Sequence, residues 1–114
     1  MTELTEREFS KHLNSKFNLN LDGRHVQLEL SEVKAYLPQE HEQQGMQRFS
    51  AFFDGPGDAF LPQATYQLAH DQMGNFDIFL VPLSGDQSGY RYEAVFNYFK
   101  SEPPAVAGGP VISS

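Results

Sequence analysis

The stretch from Gly74 to Phe99, GNFDIFLVPLSGDQSGYRYEAVFNYF, constrains the fold more than any other part of the chain. It reads as two strands around a polar turn. In the first, Phe76, Ile78 and Leu80 share one face, and Asp77, Phe79 and Val81 share the other. Side chains of a strand alternate between faces, so a strand that ends apolar on both is expected to be buried on both sides there. Pro82 has no backbone N–H and should end the pairing or sit at a bulge. Ser84 to Gly89 carries turn chemistry, because glycine reaches positive φ freely and Asp and Ser bond their own backbone. In the second strand, Tyr90, Tyr92, Ala94 and Phe96 alternate with Arg91, Glu93, Val95 and Asn97. The pattern predicts an antiparallel pair across a connection of roughly seven residues.

A chain of 114 residues makes one domain. Ten Phe and five Tyr, with no Trp, supply large rings that suit a β-rich core. The absence of Cys excludes disulfides and thiolate metal sites and fits a reducing compartment. No apolar run reaches the roughly 20 residues of a membrane helix, so no membrane association is expected. The first residues, Met1 to Glu8, are polar and acidic and do not resemble a secretory leader. The expected location is the cytoplasm, or outside the cell by a route without a cleavable signal peptide. The net charge is −7, and residues 35–114 hold nine acids against three bases. An acidic surface repels phosphate backbones, so nucleic acid is not an expected partner.

Along the chain, Thr5-Glu6-Arg7-Glu8 has the form of a capping box, and Leu4, Phe9 and Leu13 follow helical spacing. They predict a short helix from about Glu6 to about Leu13 that plugs an open end of the sheet. Phe17 to Leu21 and Val26 to about Lys34 alternate apolar and polar around Asp22-Gly23, a hairpin dipeptide. Residues 36–47, YLPQEHEQQGMQ, are the most polar run and read as a solvated loop, of a length that often carries function. Arg48 to Phe53 reads as a third strand, closed by the turn Asp54-Gly55-Pro56-Gly57-Asp58. A strand follows Pro62 and runs to His70, and Asp71 to Gly74 turns the chain into the central pair. From Ser101 the residues are rich in Pro, Gly and Ser, which predicts a flexible tail at 101–114 outside a domain of residues 1–100.

The histidines are His12, His25, His41 and His70. None forms a zinc pair on one helix, and no Cys can join them. There is no nucleophile elbow and no phosphate-cradling glycine loop, so no cofactor, no metal and no enzymatic activity are expected. Arg91 and Glu93 predict a cross-strand ion pair or a wet face. Gln63, Thr65 and Asn97 are expected to bond loop backbone, because a buried polar group without a partner costs about 1–3 kcal/mol. Tyr90, Tyr92 and Tyr98, with Phe96, form core if their face is inside. If the last strand lies at an edge, they suit a protein interface.

Residues 49–97, FSAFFDGPGDAFLPQATYQLAHDQMGNFDIFLVPLSGDQSGYRYEAVFN, resemble a family of small bacterial domains of unknown function. The shared features are a Phe-rich strand running into Gly55-Pro56 and the stretch Leu61-Pro62-Gln63 with Thr65-Tyr66. Further along come His70 before Gly74, then Phe79 to Pro82 and Tyr92 to Asn97. The last two are the most specific. The resemblance spans roughly residues 5–97, and the chain beyond Asn97 is longer than that pattern. It implies no catalytic residue. Members often lie near genes for phage-tail-collar-like fibre proteins, so the resemblance implies a partner of that kind by association.

These observations predict a mainly β fold, a small antiparallel barrel or sandwich of about six strands in meander order with one N-terminal helix. The expected function is a non-enzymatic structural or assembly module that binds another protein through a sheet edge or the polar loop. The interface candidates are Tyr90, Tyr92, Tyr98, His41, Gln43 and Gln44. The alternative is a small-ligand-binding barrel, for which eight strands are the usual number. A hydrolase using His70 with Asp71 or Glu93 is a third reading.

Overall fold

Asp22 and Gly23 adopt φ of 51° and 87°, the left-handed pair that a two-residue hairpin turn requires. They fold β1 (Lys16–Leu21) back onto β2 (Arg24–Ala35) in register, from Leu21 with Arg24 to Lys16 with Glu29. The computed structural model describes residues 4–36 and 46–99. They form a closed antiparallel β-barrel of six strands with one short helix, α1 (Glu6–Ser10), over an end. The remaining strands are β3 (Met46–Gly55), β4 (Ala64–His70), β5 (Gly74–Asp86) and β6 (Gly89–Phe99). Most of the expected polar loop, with His41, Gln43 and Gln44, and the expected tail at 101–114 lie outside the described residues.

The barrel interior follows the period of two. Phe17 and Leu19, then Val26, Leu28 and Leu30, then Phe49, Ala51 and Phe53 point inward and are buried. Leu68, Ile78, Leu80, Tyr92 and Ala94 complete the core. A bulge between Leu30 and Glu32 shifts the phase of β2. Val33 then packs against the core, and Glu32 and Lys34 move to the outer face.

The strand order is β1-β2-β3-β6-β5-β4, closing on β1. This corrects the expected meander. After β3 the chain crosses the barrel end through residues 56–63 and begins β4 next to β1, while β6 returns to β3. The crossing is stable because it is itself core. Ala59 and Leu61 are buried, and the Leu61 N–H donates to the Tyr92 hydroxyl at 3.0 Å. Met46 to Gly55 also match Phe99 to Tyr90 without a break.

Two local expectations are also corrected. The connection between β5 and β6 is Gln87-Ser88 rather than about seven residues, because Asp86 holds the turn by accepting from the Ser88 N–H and hydroxyl at 2.9 and 2.6 Å. Pro82, expected to end the pairing or sit at a bulge, does the second, with the register shifting between Pro82 and Ser84. The helix stops at Ser10 instead of near Leu13. Thr5 caps it by accepting from the Glu8 N–H at 3.1 Å, and Asn14 at φ 69° turns away to donate to the Leu30 carbonyl. The one buried residue of the helix, Phe9, plugs the barrel end against the rings of Phe17, Phe49, Phe76 and Phe96, with centroids 5.4–6.3 Å away. Burying such a ring is worth about 1.5–3 kcal/mol.

Candidate functional site

The bulge in β2 and the alternation of β3, β5 and β6 compose one outward face. Register places Lys34, Ser50 and Val95 in one row, and Phe52, Glu93 and Val81 in the next. At its centre Ser50 is 0% exposed although its side chain points away from the barrel interior. Its Oγ accepts from the Tyr36 hydroxyl at 3.0 Å and donates to Glu93 Oε2 at 2.6 Å. The second distance is that of a charge-assisted hydroxyl–carboxylate bond. Lys34 Nζ lies 5.9 Å from the centroid of the Tyr36 ring. Beside them the Arg91 guanidinium stacks over Phe52 at 4.9 Å and reaches Glu32 at 2.6 Å. The expected ion pair of Arg91 thus forms across β3 with Glu32, and Glu93 binds a serine instead. Tyr36 is tied to Ser50 and Arg91 to Glu32 and Phe52, and such contacts lower the entropy cost of using a side chain in an interface.

The adjoining part of this face is apolar and open. Phe79 is 50% and Val95 63% exposed, and Val81 is half-buried. This corrects the expectation that β5 is buried on both faces. A single-layer barrel buries only its inner face, and among the described residues no further element covers the outer side of β5. The backbone is open there as well. β5 pairs with β4 over Gly74–Leu80 and with β6 over Val81–Asp86. Among the described residues, Ala94 to Phe99 therefore pair with β3 alone. The first half of β5 and the second half of β6 diverge into a wedge, with the Phe9 ring packed beneath it against Phe76 and Phe96.

A second cluster lies where β1 meets β4. His70 is buried, and its Nδ1 accepts the N–H groups of Gln72 at 3.0 Å and Met73 at 3.1 Å. A nitrogen that accepts two N–H bonds carries no proton, so the neutral ring bears its hydrogen on Nε2. That nitrogen lies 2.9 Å from Ser15 Oγ and donates to it, and Ser15 donates to the His12 carbonyl. Burial above all, and then the neighbouring His12, push the His70 pKa down, against an opposing pull from Asp71. In this state Nε2 is a donor and cannot take a proton from Ser15, so the pair is not arranged as nucleophile and base. Glu93 stands on the outer face of β6, bonded to Ser50, and not with His70.

The tyrosines named from sequence do not act together. Tyr92 is 0% exposed and belongs to the core. Tyr90 is half-buried, with its ring edge-on to Phe60 at 5.1 Å. The Tyr98 hydroxyl donates to the Leu4 carbonyl and ties β6 to the start of the helix. Their face is therefore the inner one, and β6 lies between β3 and β5 rather than at an outer edge of the sheet. The sequence reading missed Tyr36, Ser50, Phe79 and Val95. The signal for Val95 was an apolar residue in phase with Arg91, Glu93 and Asn97. The signal for Tyr36 was Val33, out of step with Leu30.

Among the described residues no helix is long and apolar enough to cross a membrane, and no three His, Asp or Glu side chains gather to hold a metal ion. No curated protein and no solved structure matches the chain. The profile of one family does match, over residues 4–96, which takes in α1 and the strands as far as Phe96 of β6. Its description is "Domain of unknown function (DUF6916)", and the chain belongs to this family.

Proposed function

We propose that this domain is a non-enzymatic assembly module that binds another protein through the outer face of β3, β6 and β5. The observation that carries the reading is the exposed pair Phe79 and Val95 beside an unpaired stretch of strand. Isolated exposed apolar residues need no explanation, but grouped ones next to aromatic and Arg side chains fit an interface core. The resemblance to domains found near fibre genes favours a phage-tail-fibre-like partner. The small-ligand alternative has less support. The inward positions are filled by rings in mutual contact, such as Phe17 and Phe53 at 5.3 Å. The clefts of about 410 and 250 Å³ open at the junction of β1 and β4 and share Asn18.

The test is affinity capture from the native host with the full chain and with a Phe79→Ser, Val95→Thr double variant. Both substitutions are at exposed positions, so the variant should keep its fold. A co-purifying protein held by the wild type and lost by the variant is expected. Equal capture by both would place the interface elsewhere, and no capture by either would count against the module.

A further inference from the structure

The wedge between β5 and β6 carries more than an apolar patch. We infer that it accepts an extended segment of the partner protein, added as a strand to the free edge of β6, with apolar and basic side chains alternating. This rests on the interface reading above and names the partner's chemistry. Three observations converge on it. The backbone of Ala94 to Asn97 has no strand partner on the β5 side among the described residues, and such an edge is a template for strand addition. The inner rim of the wedge is apolar, with Phe76 and Phe96 partly buried against the core, so inward side chains of an added strand should be apolar. The outer rim combines Phe79 and Val95 with the carboxylates of Asp77 and Glu93.

Asp77 is exposed and takes part in none of the ion pairs among the described residues. Of the outward cations near the wedge, Arg91 is matched by Glu32, and Arg48 stands opposite Asn97 on β3, on the side of β6 away from the wedge and Asp77. On a chain of net charge −7, outward Lys or Arg side chains are complementary. Their methylene stems can lie on Phe79 and Val95 while the charged heads reach the carboxylates. An acidic segment would meet repulsion at the same place.

The experiment uses the full chain and synthetic peptides of alternating Val and Lys, seven residues long. The controls are the matching Val–Glu peptide and two N-methylated versions, methylated at odd or at even positions. Binding is read by titration, and amide hydrogen exchange is read at Ala94 to Asn97. The Val–Lys peptide should bind at least about tenfold more tightly than the Val–Glu peptide, which corresponds to about 1.4 kcal/mol. Strand pairing uses alternate N–H groups, so one N-methylated version should lose about tenfold and the other should not. Exchange at Ala94 to Asn97 should slow on binding. Equal binding by both methylated versions, or by the Glu peptide, overturns the proposal. So does protection of the same amides by self-association at high concentration, which would make a second copy the occupant. Binding that appears only after removal of residues 101–114 overturns it too, because the chain's own tail would then fill the site. If no peptide binds while the Phe79→Ser, Val95→Thr variant still loses the captured partner, the added strand is refuted and the assembly reading stands.

Discussion

Replacing Tyr92 with Phe removes a single buried oxygen atom from beneath the crossing segment at the barrel end. Tyr92 is fully buried, and its hydroxyl accepts the N–H of Leu61, itself fully buried, at 3.0 Å. The ring and its packing survive the change, so the loss is confined to that hydrogen bond. The Leu61 N–H is left without an acceptor in a place water does not reach. Orphaning a buried donor costs about 1–3 kcal/mol. For a domain of this size each kcal/mol moves Tm by about 4–8 °C. At about 2 kcal/mol the expected fall is roughly 8–16 °C. The cost should concentrate in the crossing segment, whose Ala59 and Leu61 side chains are held against the barrel end. Two measurements check this, thermal unfolding followed by circular dichroism and hydrogen exchange at the Leu61 amide. Exchange there should rise at least to the level set by the lost stability. A Tm within about 2 °C of wild type, with Leu61 exchange unchanged, would refute the claim that this bond fastens the crossing.

Other consequences can be measured on the same preparation. The His70 pKa lies below its ordinary 6.5, so the unfolded chain takes up the proton at a higher pH than the folded one. Stability is therefore full above about pH 6.5 and declines as pH falls from there to the depressed folded pKa. Urea midpoints between about pH 7.5 and 5.5 should show this decline, and His70→Gln should flatten it. Gly57→Ala should unfold the protein at ambient temperature or nearly so, since a Cβ there would lie 1.8 Å from the Gln87 carbonyl oxygen, a backbone atom. Gly23→Ala, with nothing within 4 Å of its Cβ but φ at +87°, should cost only about 1–2 kcal/mol of backbone strain in urea unfolding. Thr5→Ala should remove the cap of α1 and cost about 1 kcal/mol, read as faster exchange in residues 6–12.

Several features were legible because their causes are local. Asp22-Gly23 has few turns open to it, and the sequence Thr5-Glu6-Arg7-Glu8 carries its own start signal. Alternation in Tyr90 to Asn97 separated the two faces of the strand, since a strand buried on one face must keep that period, but left open which face was inner. Apart from the length of the β5–β6 turn and the end of the helix, the failures are non-local. Nothing in Phe79 or its neighbours says whether another layer exists to cover it. An apolar run reads the same when it is buried on both faces as when it is left open for a partner. Ser50 meets Glu93 across 43 positions of sequence, and neither residue advertises the other. The meander failed for a similar reason, because residues 56–63 look like a simple turn and only the Tyr92 hydroxyl reveals that they are anchored in the core. The tautomer of His70 depends on two backbone N–H groups whose direction no residue type encodes.

The pairing pattern also sets the order in which the molecule comes apart. β1, β2 and β3 form one three-stranded unit, and β4, β5 and β6 another. The two are joined along the whole of β3 and β6, but on the far side, among the described residues, strand pairing is confined to Asn18 with Ala69. The first seam is a spine and the second a clasp. Thermal breathing should open the clasp long before the spine, turning the barrel briefly into a curled sheet with its core side exposed. Ser15 precedes the first residue of β1, and His70 is the last residue of β4, so their hydrogen bond spans that same clasp. Protonation of His70 falls on Nδ1 and displaces the Gln72 and Met73 N–H groups, so acid loosens the turn after β4 beside the clasp while the Nε2–Ser15 bond stays in place, and hydrogen exchange at those two amides should quicken with acidity.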